Sequence, residues 1–477
     1  MYTNRPLVQQ LMQFIQQQPT SFHVPGHKYG QLSGLPPQLK QALAYDVTEL
    51  TGLDDLHEPE EVLKEAQQLL AQTYRTNESF FLVNGSTVGN LAMIYATCKK
   101  GDTIIVQRNA HKSIFHAIEL VEAKPVFVAP TWNEQMKAAG NVSRETIEQA
   151  LQQYPQCKAV VLTSPTYYGI VGDTLEQIIT VCHRKKIPVL VDEAHGAHFI
   201  AGEPFPKSAL TLGADVVVHS AHKTLPAMTM ASFLHVNSTL VCSRSVKKYL
   251  TMLQSSSPSY ILMASLDDAR AFIETYDEID KQYFLQMRKK LIKRLANLAH
   301  LEIVPSEDPL KLLIRMKNYT GFQLLEALEM HNVYGELADP YQVLFILPLL
   351  KKGQLFEIEQ ICERIEQAVW ALSMQEKNVP IPTMPLYRHQ MTELCYSSQE
   401  RASYQPIWCT FDDAVGKVSA EMITPYPPGI PLLMAGERIT AATIETIEQL
   451  VSMNARFHGK IHLKKREILV INDEIGE

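Results

Sequence analysis

The sequence predicts an α/β protein built on a mostly parallel sheet with helices on both faces. Two observations predict it. Between about residues 60 and 236, segments with apolar residues at helical spacing alternate with short runs that are apolar throughout. Such runs are buried on both faces, as the strands of a parallel sheet are. Residues suited to chemistry follow the ends of these runs, and open α/β sheets gather their ligands outside the carboxyl ends of their strands.

The elements follow in order. The helical "PEEVLKEAQQLLAQTY" precedes the strand-like "SFFLV" at 79–83. Next come "GDTIIVQ", the helical "HKSIFHAIELVEA", "KPVFVAP", a polar helix near 143–153, and "KAVVLTSP". The helical "LEQIITVCHRKK" leads to "IPVLVDEAH", and "ADVVVHSAHK" and "SFLHV" complete the series. From about 262 to 298 the pattern is helical, and "LKLLIRM" opens a smaller mixed region ending near 375. The stretch "QEKNVPIPTMP" at 375–385 reads as a linker, because proline and polar residues interrupt both periodicities. The expected organisation is an N-terminal segment over 1–60 and a large domain over 61–260. A helix and small α+β domain over 261–375 and a C-terminal domain over 386–477 follow.

Composition narrows the class. With 477 residues, 46% of them hydrophobic and 20% charged, the chain has ample material for a globular core, in about three domains or one large domain with attachments. A net charge of −7 without a basic tract argues against nucleic acid as partner. The N-terminal stretch is polar at helical spacing, unlike a signal peptide, and no run approaches the roughly 18 apolar residues of a membrane span. The seven cysteines are scattered without a C-x-x-C pair, so they read as reduced thiols of a cytoplasmic protein.

The chemistry centres on four short stretches. "DEAH" at 192–195 also occurs in helicase motors, but the phosphate-cradling G-x-x-x-x-G-K-[ST] loop those motors need is absent from this sequence. His195, His198, His219 and His222 have spacings that ligands can share, yet no cysteine or HExxH pattern accompanies them, so no metal is expected. Asp192 ends an apolar strand, where an ionised carboxylate needs a cationic partner. The protonated ring nitrogen of pyridoxal phosphate is such a partner, and that cofactor also needs a lysine. Lys223 follows another apolar strand, in "HSAHKT". Alone it is an ordinary loop lysine; paired with Asp192 at the same sheet edge it is a candidate attachment point. "LVNGSTVGN" places Gly85, Ser86 and Thr87 where a strand gives way to a helix, which serves either as a plain N-cap or as an anion site. Ser220 and His222, beside Lys223, favour the anion site. His111 opens a helix and is either a surface residue or a ring that stacks on a cofactor opposite the small Ala194.

These residues resemble the fold-type I pyridoxal-phosphate decarboxylases of ornithine, lysine and arginine, in a short bacterial form. The resemblance runs from "FHVPGHKYG" at 22–30 to "PYPPGIP" at 425–431, through "DVTELTGLDDLHEP", "NGST", "RNAHKS", "SPTYYG", "VDEAHGAH", "SAHK" and "SSSPSY". It implies a transferase-like large domain with a smaller α+β domain and a C-terminal domain. It makes Lys223 the Schiff-base lysine, Asp192 the pyridinium partner and His111 the stacking ring. Ser86, Thr87, Ser220 and His222 become phosphate neighbours, with Gly85 shaping the turn and Ala194 and His195 lining the cofactor. Ser255 is the best match to a hydroxyl that reaches the partner subunit's phosphate, so a homodimer or dimer-based oligomer is implied.

The implied reaction is α-decarboxylation of arginine, lysine or ornithine, in polyamine metabolism, with Lys223 or His222 returning a proton to Cα. Two departures stand out: no receiver-like wing domain precedes "PGHK", and His195 stands where the large inducible members have tryptophan. The competing readings are transamination or Cα–Cβ cleavage on the same fold, and a catalytically idle cofactor-binding regulator. The substrate's distal cation needs a carboxylate, and Asp46, Glu49, Asp54, Asp55 and Glu421 are the candidates, Glu421 being favoured.

Overall fold

The computed structural model describes residues 4–375, 390–425, 429–453, 455–458 and 461–472. Linker residues 376–385 and residues 426–428 of the proline-containing segment lie outside the described residues. The chain divides into two units, one of residues 1–97 and 179–277, the other of residues 98–178 and 278–477.

In the first unit four strands lie in the order Glu78–Leu82, Ser232–Val236, Val216–His219, Val189–Asp192. The last two pair in parallel, with Asp192 opposite Val218. Ser232–Val236 runs antiparallel to both of its neighbours. Val189–Asp192 and Val216–His219 are buried at every residue, which is why their sequences are valine-rich rather than alternating. The helix Gly85–Thr97 lies close on these strands because residue 89 is glycine. A Cβ there would come within 2.8 Å of Leu82 Cδ1 and 3.0 Å of Val218 Cγ1. The helix Val62–Tyr74 buries Leu63, Ala66, Leu70 and Tyr74, the stripe its apolar spacing predicts.

In the second unit Ala159–Thr163, Thr103–Gln107 and Lys124–Val128 lie side by side in parallel, and Met391–Glu393 pairs antiparallel with the last. Their crossovers carry the helices Lys112–Val121 and Arg144–Gln153. A separate antiparallel sheet runs in the order Leu301–Val304, Lys311–Met316, Val343–Ile346, Leu337–Ala338. Farther on, Pro406–Thr410 pairs with Glu467–Ile471 around a core that includes Phe411, Ile447, Ile468 and Val470. The helical pattern of 262–298 resolves into two helices, Tyr260–Glu274 in the first unit and Glu278–Leu295 in the second. Among the described residues no helix is long and apolar enough to cross a membrane.

Candidate active site

The first unit brings together most of the residues singled out in the sequence. The strand Glu78–Leu82 leads through Val83 and Asn84 to Gly85, whose φ of +76° lies in the left-handed region that glycine enters without strain. The helix starts there, so Ser86 and Thr87 occupy its first turn, at the positive end of the helix dipole. The Ser86 hydroxyl accepts a hydrogen bond from Ser220 Oγ at 2.8 Å. Ser220 directly follows the strand Val216–His219, and its N–H donates to the Ala194 carbonyl at 3.3 Å.

One helical turn beyond Ser86, Asn90 Nδ2 donates to Asp192 Oδ2 at 2.9 Å. Residues four apart share a helix face, so one helix aims Ser86 at Ser220 and Asn90 at Asp192. The Ala194 N–H donates to Asp192 Oδ1 at 3.2 Å. Burial pushes the Asp192 carboxyl above its usual range, opposed by the Lys223 charge, by the Asn90 and Ala194 donors and by His219. Asn90 was not foreseen. The signal was a polar residue one turn after "GST" in an otherwise apolar helix. Asn90→Ala is expected to strip a donor from a buried carboxylate, costing about 1–3 kcal/mol of its orientation and roughly ten-fold in kcat. Steady-state kinetics of the variant checks this, and an unchanged kcat contradicts it.

Lys223 sits in the single helical turn Ala221–Thr224, half-buried, with Nζ 3.0 Å from His195 Nε2. The four histidines considered for a metal take separate roles. His195 meets Lys223, and His198 packs edge-on against Phe199 and Phe205. His219 binds Glu193, and His222 Nδ1 donates to the Ala231 carbonyl at 3.0 Å. Ser255 is exposed, in a loop fastened to the start of the site. Gln254 accepts from the Val83 N–H at 2.8 Å, and the Ser255 N–H donates to Asn84 Oδ1 at 3.2 Å.

His111 and Glu421 belong to the second unit. His111 is the N-cap of Lys112–Val121, its Nδ1 accepting from the Ser113 N–H. The chain on either side of it is fastened to the described end of the proline-containing segment. Arg108 donates to the carbonyls of Pro431 and Leu432 and pairs with Glu437 at 2.8 Å, and the Lys112 N–H donates to the Gly429 carbonyl at 3.3 Å. Glu421 is half-buried, its Oε1 accepting from the Leu469 N–H at 3.3 Å. Among the other candidate carboxylates, Asp54 is committed to its own backbone. It accepts N–H groups ahead of and inside the helix Val62–Tyr74, and these outweigh burial to hold it below the usual aspartate range. Asp46 bonds His27, Glu49 bonds Ser257 and Asp55 accepts from the His57 N–H.

A buried carboxylate in need of a cation, a lysine at a neighbouring strand end and paired hydroxyls at a helix start fit pyridoxal phosphate at its ring nitrogen, aldehyde and phosphate respectively. The arrangement is that of an α/β pyridoxal-phosphate enzyme. Comparison with known proteins narrows the class. The family profile "Orn/Lys/Arg decarboxylase, major domain" matches residues 5–310, and that of the C-terminal domain matches residues 395–461. The uncharacterized protein YaaO of Bacillus subtilis is 47% identical, with 99% of each chain covered. An arginine decarboxylase of Bacillus anthracis is 32% identical over 98% of this chain and 97% of that one. The crystal structure of a Francisella novicida lysine decarboxylase superposes with a TM-score of 0.76, at 20% identity over 98% of this chain and 81% of that one, and so shares the fold. The chain belongs to the Orn/Lys/Arg decarboxylase family; it is a pyridoxal-phosphate-dependent decarboxylase of basic amino acids.

Proposed function

We propose that this decarboxylase acts on arginine, releasing carbon dioxide and the corresponding amine, and that residues 85–90, 192–195 and 220–223 carry the chemistry. The observation that carries the assignment of residues is the convergence within one unit of Asp192, Lys223 and the Ser86–Ser220 hydroxyl pair. Pyridoxal phosphate, when bound, supplies a protonated aromatic ring that accepts the electron pair left as carbon dioxide departs. Asp192 holds the proton on the ring nitrogen, while Asn90 and the Ala194 N–H keep the carboxylate aimed. The hydroxyls of Ser86, Thr87 and Ser220 hold the phosphate at the positive end of the helix, with His222 as neighbour and Gly85 setting the turn. Ala194, with its small side chain, and His111, as a stacking imidazole, would be the residues that hold the ring. Lys223 carries the cofactor and returns a proton to the substrate's Cα, with His222 as the alternative donor. His195, 3.0 Å away, exchanges a proton with Lys223 Nζ.

Arginine is favoured over lysine and ornithine by the arginine decarboxylase that aligns along nearly the full length of this chain. A buried guanidinium needs a carboxylate, and Glu421 is the proposed one. Comparing kcat/KM for arginine, lysine, ornithine and citrulline, the neutral analogue of arginine, tests the proposal. Arginine is expected to lead and citrulline to fall roughly 100-fold or more below it, the scale on which a site built for a polar group rejects its mismatch. Equal turnover of citrulline rejects a cation-selective pocket, and preference for lysine or ornithine rejects arginine. An unchanged preference in Glu421→Gln removes that residue.

The active unit is proposed to be a homodimer in the cytoplasm, with Ser255 completing a partner's phosphate site. Large apolar side chains stand exposed along 22–39, Phe22 at 95% and Leu32 at 75%, which supports burial against a second copy. The scattered cysteines support a reducing compartment. Sedimentation at assay concentration is expected to show a dimer or larger, and a fully active monomer contradicts it.

A further inference from the structure

Directly behind the candidate site, on residues to which no role has been given, lies a buried polar chain. Glu193 follows Asp192, and His219 precedes Ser220; they are 1% and 0% exposed. Glu193 Oε2 accepts from His219 Nε2 at 2.7 Å and from Ser208 Oγ at 2.6 Å, and Oε1 accepts from the Ala209 N–H at 2.8 Å. On its other side His219 Nδ1 lies 3.1 Å from His235 Nε2, and His235 Nδ1 lies 2.7 Å from Ser79 Oγ. Burial holds His235 neutral, so each imidazole nitrogen pairs with a donor or an acceptor whichever way the shared protons lie. Tyr74 covers the two rings at 5.2 and 4.4 Å between centroids, and its hydroxyl donates to the Ala197 carbonyl at 2.7 Å.

Stability alone does not account for such a chain, since well-packed apolar side chains in its place are commonly as stabilising or more so. Its place in the sheet supplies the reason. The ladder between Val189–Asp192 and Val216–His219 ends at the pair Asp192 and Val218. Past that point the backbone contributes the Ser220 N–H to Ala194 carbonyl bond, at 3.3 Å. The tighter link between the two strand ends is the side-chain bridge from Glu193 to His219.

Accepting the pyridoxal-phosphate reading, on which this rests, we propose that Glu193 and His219 are positioning residues: a buried carboxylate–imidazole bridge, braced by His235 and Ser79, that fixes the separation of Asp192 from Ser220. On that reading these two residues anchor two parts of one cofactor, the ring nitrogen and the phosphate. A bridge that sets their spacing matters when both ends are engaged at once and little when one is, as for any two-point attachment.

That difference supplies the test. Dissociation constants of pyridoxal phosphate and of inorganic phosphate are measured on cofactor-stripped wild type, Glu193→Gln and His219→Asn. The pyridoxal phosphate constant is expected to weaken roughly 10- to 100-fold, the scale on which outer partners of a bound group act. Inorganic phosphate, held at one end, is expected to stay within about two-fold. Equal weakening of both ligands makes the bridge merely structural and overturns the proposal, as does no weakening of either. Should Glu193→Gln and His219→Asn not fold, Ser79→Ala at the far end of the brace is read the same way, with the same split expected at about three-fold. Wild type that fails to bind pyridoxal phosphate with a visible absorption band contradicts the underlying reading instead.

Discussion

Lys223→Ala is expected to lower turnover by roughly four orders of magnitude or more, the scale of removing a group that forms a covalent bond with the reacting partner. The lysine stands in a single helical turn at a strand end, half-buried, with His195 Nε2 3.0 Å from its Nζ. An amine attacks a carbonyl only when deprotonated, and His195 Nε2 lies within hydrogen-bond distance of Nζ as a partner for its proton. Lys223→Arg separates this role from charge. The guanidinium keeps the cation but does not give up its proton in a protein, so it is expected to be as inactive as alanine. Turnover in Lys223→Arg within ten-fold of wild type, measured by carbon dioxide release, contradicts the assignment.

Asp192→Asn is expected to lose roughly two to four orders of magnitude in kcat, as when a preorganised electrostatic stabiliser is removed. An amide does not hold a proton on the ring nitrogen as a carboxylate does. The cofactor-free protein is expected to show the opposite face of the same property. Burial raises the Asp192 carboxyl above its unfolded value, so the folded state binds the more protons in the interval between the two. The penalty from this group is therefore absent below the ordinary aspartate range and grows as pH rises through it, reaching its full size above the raised value. Denaturant melts of the cofactor-free proteins are expected to show a smaller loss of stability with rising pH in Asp192→Asn than in wild type. Near-normal turnover of the variant contradicts the electrostatic role, and parallel pH profiles contradict the origin given for it.

Many of the strands in each unit and the order of the chemical residues were legible in the sequence, because fully buried strands are written as unbroken apolar runs. Asp192 and Ser220 each come at or just past the end of such a run, and Gly85 marks the turn into the helix. What was not legible depends on rotation and register. Asn90 reaches Asp192 because a helix face recurs every turn, and nothing in a linear reading says which strand that face meets. Glu193 and His219 are separated by a loop, and their pairing follows from the parallel register of two strands. Arg108 was visible as a charge in "RNAHKS", whereas its use as a clamp on the carbonyls of Pro431 and Leu432 involves acceptors that every residue carries. Asp54 shows the converse. Its setting among acidic residues reads as a candidate for a substrate cation, yet its carboxylate is committed to the backbone N–H groups at the start of a helix. Backbone donors leave no mark in a sequence.

The most direct measurement of the central claim is where the cofactor is attached. Protein loaded with pyridoxal phosphate and shown to decarboxylate a basic amino acid is freed of substrate, reduced with borohydride, digested and mapped by mass spectrometry. The pyridoxyl label is predicted on Lys223, in the peptide containing "HSAHK", with loss of activity in proportion to labelling. A label on another lysine that tracks the loss of activity, or complete activity after Lys223 is fully labelled, contradicts it.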